Sequence, residues 1–221
     1  MTDARSAILT AVSASLSRRR GGQPAPDPDS IAAEAEALRL RAYATRPDRG
    51  PGPLDVSFME RVVSPGVAAT AERVAGLADF PVVVRRYLAA HGLSPSIALQ
   101  PHPDLLALDW SGIETHDRPG LDEPVAVGLA LGGIAETGSL VFHSGPDAPT
   151  LFAFLPVHHI VAVEANRLWR GLEDYADAGA GHPRNVNLVT GASGTTDIEG
   201  TLVRGAHGPG HLHIVLIGGA G

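Results

Sequence analysis

The chain of 221 residues contains no cysteine. Disulfides, thiolate nucleophiles and cysteine-ligated zinc or iron–sulfur clusters are excluded with it. Lysine is also absent, since all 17 basic residues are arginine. That removes lysine Schiff-base chemistry and the lysine of a phosphate-binding P-loop. Positive charge is in deficit, with a formal net charge of −7. The one basic cluster, Arg18-Arg19-Arg20, is too short to make a nucleic-acid or anionic-membrane surface. No apolar run approaches the ~20 residues of a membrane span. The N-terminal stretch is amphipathic and lacks the unbroken apolar core of a signal peptide, so a cytoplasmic protein is expected.

What is present suits one α/β domain with an added N-terminal piece. Hydrophobic residues make up 44%, enough for a sizeable core. Ile8, Val12 and Leu16 fall four apart and predict a helix over 3–18. "GGQPAPDPDS" (21–30) breaks the periodicity and ends on Ser30, a candidate N-cap for a helix over 31–44. "RPDRGPGP" (46–53) is a second break. Residues 1–60 are therefore read as a helical extension with flexible linkers, and 61–221 as the compact α/β domain.

Within that domain, Val67–Val74 is compatible with strand or helix. Phe80, Val83, Val84, Tyr87 and Leu88 form a helical stripe stopped by Gly92. Val125–Leu131 is a continuous apolar run, as expected of a strand buried on both faces of a parallel sheet. Further short strands are expected at Ile97–Leu99, Ser139–Phe142 and Ile160–Val163, with Val186–Thr190 and Leu212–Ile217 closing the sheet.

Three constellations could carry chemistry. "GGIAETGSLVF" (132–142) sets Glu136, Thr137, Gly138 and Ser139 in a glycine-rich turn, where backbone N–H groups and hydroxyls can meet a ligand. The alternative is a tight connection feeding a strand. "TGASGTTDIEG" (190–200) follows an apolar run. Its Thr190, Gly191, Ser193, Thr195 and Thr196 could cradle an anion beyond the carboxyl end of a strand. Asp197 and Glu199 point the same way in extended chain, and two adjacent carboxylates can raise one pKa toward a general-acid role. The alternative is a solvated acidic turn. The third constellation is the histidines. His211 and His213 share a strand face, a spacing that can chelate a metal, but no third ligand can be assigned and hydrogen-bonded histidines are expected. His207, in "GAHGPG", is placed as a loop residue near a cleft.

In order, "GIAETGSLVF", "LPVHHIVAV", "TGASGTTDIE" and "GAHGPGHLHIVLI" resemble the signature blocks of the LUD-domain family, in its cysteine-free lactate-utilisation branch. The likeness covers roughly residues 61–218. Glu136 stands where the family usually has Asp, and Ala192 where it often has Pro. The resemblance implies a Rossmann-like parallel sheet similar to the glucosamine-phosphate isomerase, ribose-phosphate isomerase and CoA-transferase group. It also implies a place in a system that oxidises L-lactate to pyruvate, with iron–sulfur clusters in partner subunits only and no cofactor held by this chain. The ligand expected in the cleft is a small carboxylate or phosphate. Glu136 and Asp197 are the candidate acid–base residues. Thr137, Gly138, Ser139, Thr190, Gly191, Ser193, Thr195, Glu199 and His207 are the candidate ligand-binding residues. The competing reading is a stand-alone enzyme of the isomerase/CoA-transferase-like group acting on such a ligand.

Overall fold

The computed structural model describes residues 4–19, 27–39, 52–179, 181, 183–196 and 202–219. The chain divides into two compact units, Met1–Asp48 and Arg49–Gly221. The first holds α1 (Ala4–Arg19) and α2 (Pro28–Arg39). The α1 stripe of Ile8, Val12 and Leu16 is exposed. The second helix starts earlier than Ser30. Pro28 takes the first turn, where its missing N–H costs nothing, and the Ser30 hydroxyl donates to the Asp27 carbonyl at 2.7 Å. The two Pro/Gly breaks lie largely outside the described residues.

The second unit opens ahead of Arg61, because α3 (Leu54–Val62) belongs to it. Phe58 and Val62 are fully buried in one of its hydrophobic clusters. The central sheet runs β1 (Thr70–Val74), β12 (His211–Ile217), β7 (His158–Glu164), β4 (Val125–Leu129), β2 (Ser96–Leu99), β3 (Glu114–His116), with every pairing parallel. The ambiguous 67–74 stretch resolves as β1. As the continuous apolar run predicts, β4 is covered on both faces. One face packs on α4 (Phe80–Ala90), whose Phe80, Val83, Val84, Tyr87 and Leu88 meet Val125, Val127, Ile160, Ala162 and Val215. Gly92 takes φ +62° just past the helix, and the Leu93 N–H bonds the Leu88 carbonyl at 2.9 Å, a glycine-assisted C-terminal cap.

The other face carries Val161, Val163, Ile214 and Leu216, packed on Phe58, Leu140 and Phe142. Phe142 and Leu140 come from a second sheet. Its order is β8 (Leu168–Trp169), β5 (Gly132–Ile134), β6 (Ser139–His143), β9 (Val186–Thr190). This corrects two expectations. Ser139–Phe142 and Val186–Thr190 are strands, but they pair antiparallel with each other outside the central sheet. Nor is β9 a core strand: it lies at an edge, and Val186 and Leu188 are each 44% exposed. A small hairpin of β10 (Gly194–Thr196) and β11 (Leu202–Arg204) follows. The remaining helices, α5 (Pro103–Leu106) and α6 (Leu172–Asp177), are short. Among the described residues no helix is long and apolar enough to cross a membrane.

Candidate functional site

In an open parallel sheet, ligands bind beyond the carboxyl ends of the strands, where neighbouring strands send their connections in opposite directions. Here β2 leads to β3 on one side and β4 leads to β7 on the other, while β2 and β4 are neighbours. A cavity of about 320 Å³ opens at that point, lined by Gln100 after β2, Leu129–Leu131 after β4 and Glu164 at the end of β7. Phe142, His143 and the 144–148 loop form the facing wall.

Its charged groups sit at the margin. Arg167 Nε donates to Glu164 Oε2 at 3.2 Å, and both side chains are well exposed. His102 Nδ1 accepts the Asp104 N–H at 3.2 Å. Tyr175 hydroxyl and His143 Nε2 lie 2.7 Å apart, and burial lowers the imidazole pKa and raises the phenol's. Gln100, only 2% exposed, is the internal strut. Its Oε1 accepts the Leu129 N–H at 3.0 Å, and its Nε2 donates to the Asp147 carbonyl at 2.9 Å. One amide therefore ties the wall loop to the ends of two strands.

Beneath the cavity lies His159. A second void of about 10 Å³, lined by Gln100, Phe142, Ala148, Phe152, His159 and Asn187, shares Gln100, Phe142 and Ala148 with the first. His159 is 1% exposed and stacks on Phe142 with ring centroids 5.9 Å apart. Burial pushes its pKa down to about 3, so it is neutral across the physiological range. Neither ring nitrogen has a hydrogen-bond partner. Gly128, mid-strand in β4, makes the arrangement possible. A Cβ there would come within 2.7 Å of Gln100 Oε1 and 3.3 Å of His159 Nε2.

The residues singled out from sequence lie elsewhere. Ser139 and Thr190 are register partners across β6 and β9, with their hydroxyl oxygens 2.6 Å apart. Thr137 Oγ1 continues the row at 2.6 Å from Ser139 Oγ. Antiparallel pairing of β6 with β9 brings the two segments together. Three of the hydroxyls in excess satisfy one another. With Arg61, Val67 and Leu188 they line a groove of about 360 Å³. Gly138 (φ +69°) closes the β5–β6 turn. Gly191 (φ +74°) lets the chain pass against the Val67 carbonyl, which a Cβ would strike.

The whole group borders the amino end of β1, because Val67 precedes that strand. Ser193 N–H bonds the Pro209 carbonyl at 2.7 Å, just before β12. Thr195 pairs with Val203 in the β10–β11 hairpin. His207 is exposed and lines another groove of about 420 Å³ with Leu121, Phe154 and Val157, residues that precede β4 and β7. Glu136 is exposed, and its N–H donates to the Arg170 carbonyl at 3.0 Å. Asp197 and Glu199 lie outside the described residues. The hydroxyl row and His207 thus flank the amino edge of the sheet, opposite the switch-point cavity.

The histidines of β7 and β12 form a third group. Tyr87 hydroxyl meets His158 Nδ1 at 3.0 Å, and His158 stacks on His211 at 4.3 Å. His213 is held by Thr70 Oγ1 at 2.8 Å and Glu72 Oε1 at 3.0 Å. Among the described residues no set of three or more His, Asp or Glu is arranged to hold a metal ion.

Sequence reading missed the cavity. Gln100, Asp147 and His159 are far apart in the chain, and the one local signal was a glycine within an otherwise apolar strand.

Residues 123–217 match the family model of the LUD domain. A crystal structure of a DUF162-family protein from Deinococcus radiodurans shares the fold, with a TM-score of 0.54 and 19% identity over 75% of this chain and 96% of that one. The chain is also similar to lactate utilization protein C. It is 27% identical to that of Geobacillus thermodenitrificans over 71% of this chain and 70% of that one, and 28% identical to that of Deinococcus radiodurans over 43% and 47%. An uncharacterised protein of Neisseria meningitidis serogroup B is 35% identical over 38% of each chain. The matches to the Neisseria and Deinococcus proteins thus span less than half the length of those relatives.

Proposed function

We propose that this protein serves in lactate utilisation, as the cluster-free cytoplasmic subunit of a system that oxidises L-lactate to pyruvate beside iron–sulfur partners. Its own part is to hold a small carboxylate in the switch-point cavity. The observation that carries this reading is the cavity's place at the carboxyl ends of β2, β4 and β7, with the Arg167 guanidinium at its margin. Similarity to lactate utilization protein C supplies the metabolic setting. The cysteine-free sequence agrees with clusters being held elsewhere.

The test is complementation. A host deleted for this gene should regain growth on L-lactate with the wild-type chain. It should not regain growth with Ala148→Phe, which fills the cavity from its wall. Iron–sulfur proteins should co-purify with both forms. Full growth with Ala148→Phe would remove the cavity from the function. No growth defect in the deleted host would remove lactate utilisation itself.

A further inference from the structure

Buried polar groups are almost always bonded, and a side chain with two unbonded nitrogens needs an explanation. His159 is such a group, buried beside the switch-point cavity at the carboxyl edge of the sheet. The neighbouring Gln100 amide bonds Leu129 and Asp147 and makes no hydrogen bond to the ring. Phe142 offers a ring face, not a partner. His159 is among the residues that line a void of about 10 Å³, which is room for one oxygen-sized group. A neutral imidazole presents one N–H donor and one acceptor nitrogen. Its natural complement is a group that both accepts and donates, which a hydroxyl does and a carboxylate does not. Gly128 leaves the backbone bare where Gln100 and His159 converge, at a conformational cost to the strand.

We infer that His159 is the specificity residue of the cavity and reads a hydroxyl: the small void receives the uncharged –OH of a small ligand, with a water in its place when the cavity is empty. The inference rests on the cavity being the ligand site proposed above. It adds that the floor of that site discriminates between molecules alike in charge and size by whether they carry a hydroxyl there.

The experiment uses the full chain uniformly labelled with ¹⁵N and three probes. L-Lactate has a carboxylate and a hydroxyl, 1,2-propanediol has hydroxyls and no carboxylate, and propanoate has the carboxylate alone. L-Lactate and 1,2-propanediol should shift the His159 ring nitrogens, and propanoate should leave them in place. His159→Phe keeps the shape and removes both nitrogens. It should melt no lower than wild type, bind L-lactate at least tenfold more weakly, and bind propanoate unchanged. A merely structural histidine would give equal losses for both acids or none. Probes that move the Ala148 and Arg167 signals while His159 stays silent, or propanoate shifting His159 as L-lactate does, would overturn the inference and leave the cavity standing. Silence of all three residues with every probe would overturn the cavity and the inference together.

Discussion

His158 and His159 are consecutive on one strand and face opposite sides of the central sheet. His158 looks toward α4, where Tyr87 bonds it and His211 stacks on it. His159 looks toward the second sheet, where nothing bonds it. Burial is the first cause of both lowered pKa values, to about 4 for His158 and about 3 for His159, with the nearby His211 and His91 adding to the effect on His158. The titration of the two rings is alike; their satisfaction is not. A buried histidine finished by its neighbours is structural, whereas one left unfinished beside a cavity is a site waiting for a partner.

Acid is the strongest lever on this comparison, since each unit of pKa shift is worth about 1.4 kcal/mol. Both rings have folded pKa values below the ordinary 6.5. Their contribution is complete above that pH and is lost as pH falls toward 4 and 3, because the unfolded chain takes up protons that the folded chain refuses. The melting temperature should therefore fall steadily from pH 7 to pH 4. His159→Phe and His158→Phe should each flatten the fall, the first more than the second. An unchanged slope in His159→Phe would mean that the ring protonates in the native state.

Gly128→Val comes next. Its branched side chain would force Gln100 and His159 apart, and overpacking of this kind costs about 1–3 kcal/mol. Urea unfolding should show that loss, and a loss below about 0.5 kcal/mol would show the second face to be loosely packed. Tyr87→Phe tests the finished face. It strips the one hydrogen bond of His158 Nδ1 and should cost about 1–2 kcal/mol, whereas His159→Phe should cost nothing. Equal costs would erase the distinction between the two rings. The smallest effect belongs to Thr190→Val, at the exposed end of the hydroxyl row, expected within about 1 kcal/mol of wild type by thermal melting.

The helix at Phe80–Ala90 and the strands at 125–129, 158–164 and 211–217 were legible because their burial is continuous or strictly periodic in sequence. The second sheet was not. Gly132–Ile134 is too short to show a pattern, and β9 alternates between partly buried and exposed residues although its composition is apolar. Ser139 and Thr190 are marked in the sequence by their hydroxyls, but their pairing across β6 and β9 is not, because an antiparallel partner cannot be told from a parallel neighbour by composition. His158 and His159 stand side by side in "LPVHHIVAV", but which ring meets a partner depends on α4 and on Phe142, chain segments with no mark linking them to that dipeptide. Gln100 was invisible for the same reason.

The order of strands has a bearing on biosynthesis. β12 lies between β1 and β7 and pairs with both, so the earliest strand of the sheet has no neighbour until the latest one has been made. During translation β1 and the open flank of β7 are unpaired edges, the kind that recruit other chains. A nascent polypeptide stalled before His211 would hold two such edges apart with nothing to fill the gap. Such truncated products should be insoluble and dependent on chaperones, whereas the chain through Ile217 can close the sheet in one insertion.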